Sequence, residues 1–207
     1  MPIECKHAQG SPEWLLDRLG CVSASMASKI ITSTGKPSTS AKTYRNQLVA
    51  DWLAGEPVDA FEPTQAMQDG TDREEQARDL YSFVTDNQVT ETGFWFKDDR
   101  KIIGASPDGL VGEKGLVEIK NPKASTLVGY RIDGKLPSAY KQQVMFQMWV
   151  LNREWVDFFV AHPKIDHFLI RVERDDKYIK TMEELVEAFV DDMLEKRELL
   201  TQSRKVA

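Results

Sequence analysis

Gly104-Ala105-Ser106-Pro107-Asp108-Gly109-Leu110-Val111-Gly112-Glu113-Lys114-Gly115-Leu116-Val117-Glu118-Ile119-Lys120-Asn121-Pro122 is the stretch whose reading decides the fold. Leu116 to Lys120 alternates, is mostly apolar, and lies between Gly115 and Asn121-Pro122, a pattern that predicts a strand. Alternation places Glu118 and Lys120 on one face and Ile119 on the other. Leu110-Val111 is a second short apolar run, and Gly112-Glu113-Lys114-Gly115 between the runs predicts a turn that returns the chain antiparallel. Such a hairpin brings Asp108 beside Glu118. Two carboxylates about 4 Å apart repel by roughly 1 to 4 kcal/mol, so the pair is favourable mainly around a cation. A hard ion that keeps water and phosphate ligands, Mg²⁺ or Mn²⁺, suits such oxygens. Lys120 then stands where it could orient a water or stabilise developing charge. The same residues also fit an Asp-Gly turn and a solvated strand face, and E-x-K alone is common.

Working outward, the predicted order is helices, then a mixed sheet with an inserted helix, then a covering helix. Ser11-Pro12-Glu13-Trp14 predicts a capped helix start with proline at the first position, ending at Gly20. Ser23 or Ser25 caps a second short helix through Ile31. Thr32 to Ser40 is a polar loop, and Ala41 to Leu53 an amphipathic helix with Tyr44, Leu48, Val49 and Trp52 on its buried side. A helix from about Thr71 to Thr85 has Ala77, Leu80, Tyr81 and Val84 at core spacing. Phe94-Trp95-Phe96 and Lys101 to Ala105 predict a hairpin leading into the motif. After the motif come a helix over Ser138 to Leu151, strands over Trp155 to Ala161 and Phe168 to Arg174, and a helix from Met182 to about Leu200 with Leu185, Phe189, Met193 and Leu194 inward. The expected fold class is α/β with α+β character, a central mixed β-sheet flanked by helices. A single domain over 1–207 is expected, with a helical part at about 11–90, a sheet core at about 93–174 and a covering helix at about 181–200.

Length and composition set the outer bounds. With 207 residues, 41% of them hydrophobic, the chain can bury a substantial core. The polar opening Met1 to Ser11 does not read as a signal peptide, and no apolar run approaches a membrane span. Cys5 and Cys21 make neither a zinc cluster nor a disulfide framework, so a reducing, cytoplasmic setting is the default. His7, His162 and His167 lack metal-ligand spacing and read as structural. The net charge of −6 argues against a nucleic-acid partner, yet Gly112 to Met145 carries six basic against three acidic residues, directly after the motif. Arg171 to Ala207, with eight basic and ten acidic residues, reads as a solvated outer layer.

Three further positions have two readings each. Glu74 in Thr71-Asp72-Arg73-Glu74 fits a capping box, or a third carboxylate aimed at the motif from a neighbouring helix. Gln143 and Gln147 lie one helical turn apart among apolar residues, as solvent-facing amides or as partners for Lys120 or its water. Arg18 with Ser23 and Ser25 is either an anion site or an unremarkable helix surface.

Taken in order, Arg18-Leu19-Gly20, Ser23-Ala24-Ser25, Gly70, Glu74, Ser106-Pro107-Asp108-Gly109-Leu110, Glu118-Ile119-Lys120, Tyr140, Gln143-Val144 and Met148-Trp149-Val150 resemble the lambda exonuclease (YqaJ-type viral recombinase) family, from about Trp14 to the C-terminal helix. The resemblance implies a restriction-endonuclease-like PD-(D/E)xK core that degrades linear double-stranded DNA processively, 5′ to 3′, from 5′-phosphorylated ends. It would release mononucleotides and leave a 3′ single strand. It also implies a ring-shaped homotrimer working with a single-strand annealing protein in phage recombination, in the cytoplasm of a bacterial host. By the same likeness Asp108, Glu118 and the Ile119 carbonyl would bind Mg²⁺, with Mn²⁺ as a substitute and two ions per site. Glu74 would support the second ion or its water, Lys120 would activate the attacking water and Gln143 would position it. Arg18, Ser23, Ser25 and Ser106 would hold phosphate, and Met67 would be the wedge that parts the strands. Lys36 stands where the family has an arginine, and lysine cannot make the bidentate fork. A sequence-specific endonuclease on the same core, and a DNA-end-binding protein without catalysis, are the alternatives.

Overall fold

The motif folds as the hairpin its alternation predicts. In the computed structural model, which describes residues 1–7, 11–58 and 73–206, Gly109 lies opposite Val117, Leu110 opposite Leu116 and Val111 opposite Gly115. The strands in chain order are β1 (Ile3–Glu4), β2 (Val22–Ser23), β3 (Val89–Thr90), β4 (Trp95–Phe96), β5 (Ile103–Ala105), β6 (Gly109–Val111), β7 (Gly115–Lys120), β8 (Trp155–His162) and β9 (Ile165–Glu173). The helices are α1 (Pro12–Asp17), α2 (Ala41–Ala54), α3 (Glu74–Thr85), α4 (Ala124–Asp133), α5 (Lys141–Leu151) and α6 (Asp176–Val206), with 3₁₀ turns at Ala24–Lys29 and Ser138–Tyr140.

The larger sheet runs β3-β6-β7-β8-β9 and is mixed: β7 and β8 are parallel, the other neighbours antiparallel. A parallel pair needs a crossover, and 121–154, carrying α4 and α5, supplies it. A second sheet runs β1-β4-β5-β2, in which β2 and β5 are parallel. β7 is buried on both faces because each face is covered. Val117 and Ile119 pack with Ala77 and Tyr81 of α3 and with Phe159. Leu116 belongs to the main core with Phe158, Val160 and the α5 residues Val144, Met145 and Met148. Glu118, in phase with Leu116, therefore points toward the α5 side. α5 contacts β4 and β5 of one sheet and β8 of the other, which explains why every residue from Val144 to Leu151 is buried.

Several boundaries differ from those the sequence predicts, each for a local reason. α3 begins at Glu74 with Arg73 at the N-cap and no side-chain capping bond, so Glu74 is not the returning glutamate of a capping box; Thr71 lies outside the described residues. Only Ala77 and Tyr81 of α3 face the sheet, and Leu80 and Val84 are exposed beside a fully outward Phe83. Trp52 of α2 is half-buried, under the Arg197 guanidinium. α6 starts six residues before Met182, because the Asp175 carboxylate accepts the Tyr178 amide at 3.0 Å and caps it. β9 starts at Ile165, since Pro163-Lys164 makes a tight turn out of β8. α4 is not predicted by the sequence reading; its half-exposed surface and Gly129 hide the helical period.

Gly104 shows how tightly the smaller sheet is closed. A Cβ there would stand 2.2 Å from Phe94 Cζ and 2.7 Å from the Trp95 carbonyl oxygen, while Gly104 itself pairs with both Ser23 and Phe96. Gly104→Ala should destabilise the fold by about 1–3 kcal/mol, measured by urea unfolding; an unchanged midpoint would contradict this packing.

Candidate active site and phosphate pocket

Glu118 is the centre of the site. Its side chain is 1% exposed, yet both oxygens are occupied. Lys120, two residues on and on the same strand face, pairs with Oε1. From α5, the Gln143 amide donates to Oε1 and the Gln147 amide to Oε2, each at 2.6 Å. A buried carboxylate without such donors would be strongly disfavoured, and here the clustering of charge-assisted hydrogen bonds holds it. The ammonium of Lys120 also lies 5.7 Å from the Tyr140 ring.

Asp108 arrives from the other arm of the hairpin. Its Oδ2 accepts the Ile119 amide at 2.6 Å, and its own amide donates to the Val117 carbonyl. Burial, then the neighbouring Glu118 charge, raises the Asp108 carboxyl well above the usual range, against the pull of Lys120. Burial opposes the charge on Lys120, but Glu118 and Asp108 outweigh it and hold the ammonium above its ordinary value. Glu74, on the first turn of α3, is pushed up by burial against the pull of Arg78 and Lys120. Arg78 links it to the hairpin: its guanidinium is 3.7 Å from Glu74 Oε1, 3.4 Å from Glu91 Oε1, and donates to the Asp108 carbonyl at 3.4 Å. Four carboxylates, Asp108, Glu118, Glu74 and the more exposed Glu91, thus face two cations. The sequence reading did not single out Arg78, although its i+4 spacing from Glu74 was a usable signal.

The predicted anion residues gather next to this centre. β2 lies against β5 with Ser23 opposite Gly104, and Ser106 and Asp108 follow two and four residues later. The Ser23 and Ser25 hydroxyls are 3.2 Å apart. The Ser23 amide donates to the Tyr44 hydroxyl at 3.5 Å, and Tyr44 lies within electrostatic range of Arg18. Arg18 is clamped over the rings of Trp14 and Phe94, at 4.0 and 4.8 Å to their centroids, and burial lowers its pKa. It has no carboxylate partner among the described residues, which leaves a desolvated cation within electrostatic range of Cys21 and Tyr44. Ser106 donates to the Gly93 carbonyl at 3.4 Å. Lys36 is exposed on a loop closed by hydrogen bonds between Thr32 and its backbone. Met67 lies outside the described residues.

One grouping departs from the sequence reading. His7 Nδ1 and Cys5 Sγ both approach Asp17 Oδ2, at 2.9 and 3.2 Å, so a histidine, a cysteine and a carboxylate do converge. Burial pushes the Cys5 thiol up, and two hydrogen bonds onto one oxygen account for the convergence.

The donors around Asp108 and Glu118 suit a hard divalent ion. They are carboxylate oxygens, with Glu74 adjacent, and no imidazole or thiolate is among them. A carboxylate pair across a hairpin, a lysine two residues after the second acid, and a mixed sheet flanked by helices define the class of PD-(D/E)xK nuclease folds. The chain belongs to the YqaJ-like viral recombinase domain family, which it matches over residues 13–154. It is similar to the alkaline exonuclease LHK-Exo from Laribacter hongkongensis, at 34% identity over 95% of this chain and 100% of that one, with a TM-score of 0.85. The complex of LHK-Exo with dAMP aligns over the same shares, at 34% identity and a TM-score of 0.84. A phage related exonuclease from Haemophilus somnus 129PT shares the fold, at 17% identity over 88% of this chain and 96% of that one, with a TM-score of 0.69. Comparison with curated proteins finds no match.

Burying Asp108, with the Glu118 charge beside it, has a measurable cost. Because Asp108 is more readily protonated in the folded chain than in the unfolded one, its ionisation destabilises the fold, increasingly as pH rises above its ordinary value of 3.8. In EDTA, Asp108→Asn should therefore raise the thermal midpoint at neutral pH by roughly 2–4 °C, the shift of about 1 kcal/mol, with the gain shrinking toward acid pH. A midpoint below wild type across that range would contradict the electrostatic account.

Proposed function

We propose that the chain is a Mg²⁺-dependent 5′ to 3′ exodeoxyribonuclease that degrades linear duplex DNA processively from 5′-phosphorylated ends, releasing mononucleotides and leaving a 3′ single strand. The observation that carries this reading is the convergence of Asp108, Glu118 and Lys120 on one buried corner, with Ser106 two residues before Asp108. Asp108 and Glu118 would hold the metal with the Ile119 carbonyl, and Glu74 would support a second ion or its water. When bound, such ions polarise the scissile phosphate and lower the pKa of a coordinated water. Lys120 holds the attacking water and the charge that develops on the phosphoryl oxygens, and Gln143 orients that water through its amide. Arg18, Ser23, Ser25 and Ser106 grip the terminal 5′-phosphate and so set which bond reaches the acids. Lys36 meets the DNA backbone as a point charge, and Met67 wedges the strands apart.

The name of the relative LHK-Exo supports exonuclease action, and its complex with dAMP supports a mononucleotide product. Membership of a viral recombinase family supports a role beside a single-strand annealing protein in phage recombination, in the host cytoplasm. No described helix is long and apolar enough to cross a membrane. A net charge of −6 is unhelpful for gripping DNA by electrostatics, which favours retention by topology in a homotrimeric ring built from one-domain subunits.

The test is digestion of linear duplex bearing 5′-phosphate or 5′-hydroxyl ends, and of a closed circle, with Mg²⁺ or EDTA. Wild type should degrade the phosphorylated linear duplex only with metal and spare the circle, and Lys120→Ala should be inactive. Metal-independent digestion or an active Lys120→Ala would remove the catalytic assignment, and cutting of the circle would favour an endonuclease. Arg18→Ala should slow digestion of phosphorylated ends by roughly 10–100-fold, the loss of a charge-assisted hydrogen bond, and leave hydroxyl ends unaffected. Sedimentation should give three times the 23.6 kDa chain mass; a monomer would sink the ring.

A further inference from the structure

We propose that Gln147 is a positioning residue that turns Glu118 so that one carboxylate oxygen, Oε1, faces the metal, and that it thereby favours Mg²⁺ and Mn²⁺ over Ca²⁺. This rests on the reading of Glu118 as a metal ligand. Gln147 is 0% exposed and is the one polar residue among the apolar side chains from Val144 to Leu151. Its Nε2 donates to Glu118 Oε2 at 2.6 Å, which fixes the orientation of the amide, because only the NH₂ group can face a carboxylate. That orientation leaves Gln147 Oε1 buried with no hydrogen-bond partner in the described residues. A buried acceptor without a donor is destabilising, so a methionine or leucine would suit the packing of this helix better. What the glutamine does that they could not is hold Oε2.

The two Glu118 oxygens are consequently unlike. Oε2 is committed to Gln147 in the interior. Oε1 meets Gln143 and Lys120, whose side chain is 26% exposed and whose ammonium also feels the charges of Asp108 and Glu74. A carboxylate held in this way offers a cation one oxygen. Mg²⁺ requires near-octahedral geometry and keeps several waters, which suits single-oxygen ligands, whereas Ca²⁺ takes six to eight oxygens and readily accepts a carboxylate through both. Removing a group that orients a ligand from behind typically costs about 10–100-fold in metal affinity.

Gln147→Met, and Gln147→Leu should the first fail to fold, would be titrated calorimetrically with Mn²⁺ and with Ca²⁺ in the absence of DNA, beside their thermal midpoints in EDTA. Mn²⁺ affinity should fall by roughly 10–100-fold while Ca²⁺ affinity holds or rises, and a lower midpoint is expected because Glu118 Oε2 loses its donor, with a cooperative transition showing that the variant is folded. In turnover, kcat should fall at low Mn²⁺ and recover as Mn²⁺ is raised, with KM for DNA unchanged. Wild-type affinities for both ions in a folded variant would overturn the proposal, as would a kcat loss that added Mn²⁺ does not restore. If wild type and Asp108→Asn bind Mn²⁺ alike, the metal site itself is misplaced, and the reading beneath the proposal fails with it.

Discussion

A carboxylate with almost no solvent exposure is the constraint around which this molecule is arranged. Glu118 sits in the middle strand of the larger sheet, facing a helix that is itself buried between two sheets. Water cannot solvate a charge there, so protein donors must. They come from two directions, Lys120 along the strand and the Gln143 and Gln147 amides across from α5. The parallel crossover between β7 and β8 carries α5 over the acid, so the topology of the sheet and the solvation of the charge are the same fact.

The second centre follows from the first. The smaller sheet leans on the other side of α5, and its β2–β5 pairing lays Ser23 along Gly104, just before the segment that delivers Asp108. Arg18 is held by rings instead of by a carboxylate, so its charge remains available to an anion in a protein whose net charge is negative. Repulsive acids and an uncompensated guanidinium are both expensive in a folded chain. Perturbed groups of this kind mark a candidate site, although structural ion-pair networks perturb charges too.

The hairpin was legible because alternation, glycines and a proline agree on it, and Asp108 meets the Glu118-Ile119-Lys120 edge as that pattern requires. Ser11 and Pro12 likewise marked the start of α1 correctly. What the sequence concealed has physical causes. α4 shows little apolar period because it is half-exposed, and β1 to β3, at two residues each, are too short to carry a pattern and exist only through their partners. Leu80 and Val84 have core spacing yet face outward, since only one turn of α3 reaches the sheet. At the site, the capping-box pattern at Glu74 competed with its electrostatic role, and Thr71 falls outside what the structure describes. Gln147 was visible as a spacing from Gln143, but its burial against an acid is a tertiary fact.

Ser106-Pro107-Asp108 joins a serine of the proposed phosphate grip to the acids with a single proline between them. Two residue steps span at most about 7 Å, and proline removes the freedom of the middle one. In the proposed reading this short tie is a ruler: the end of the strand is gripped at one tick and cut at the next, so the length of each bite is written in the backbone.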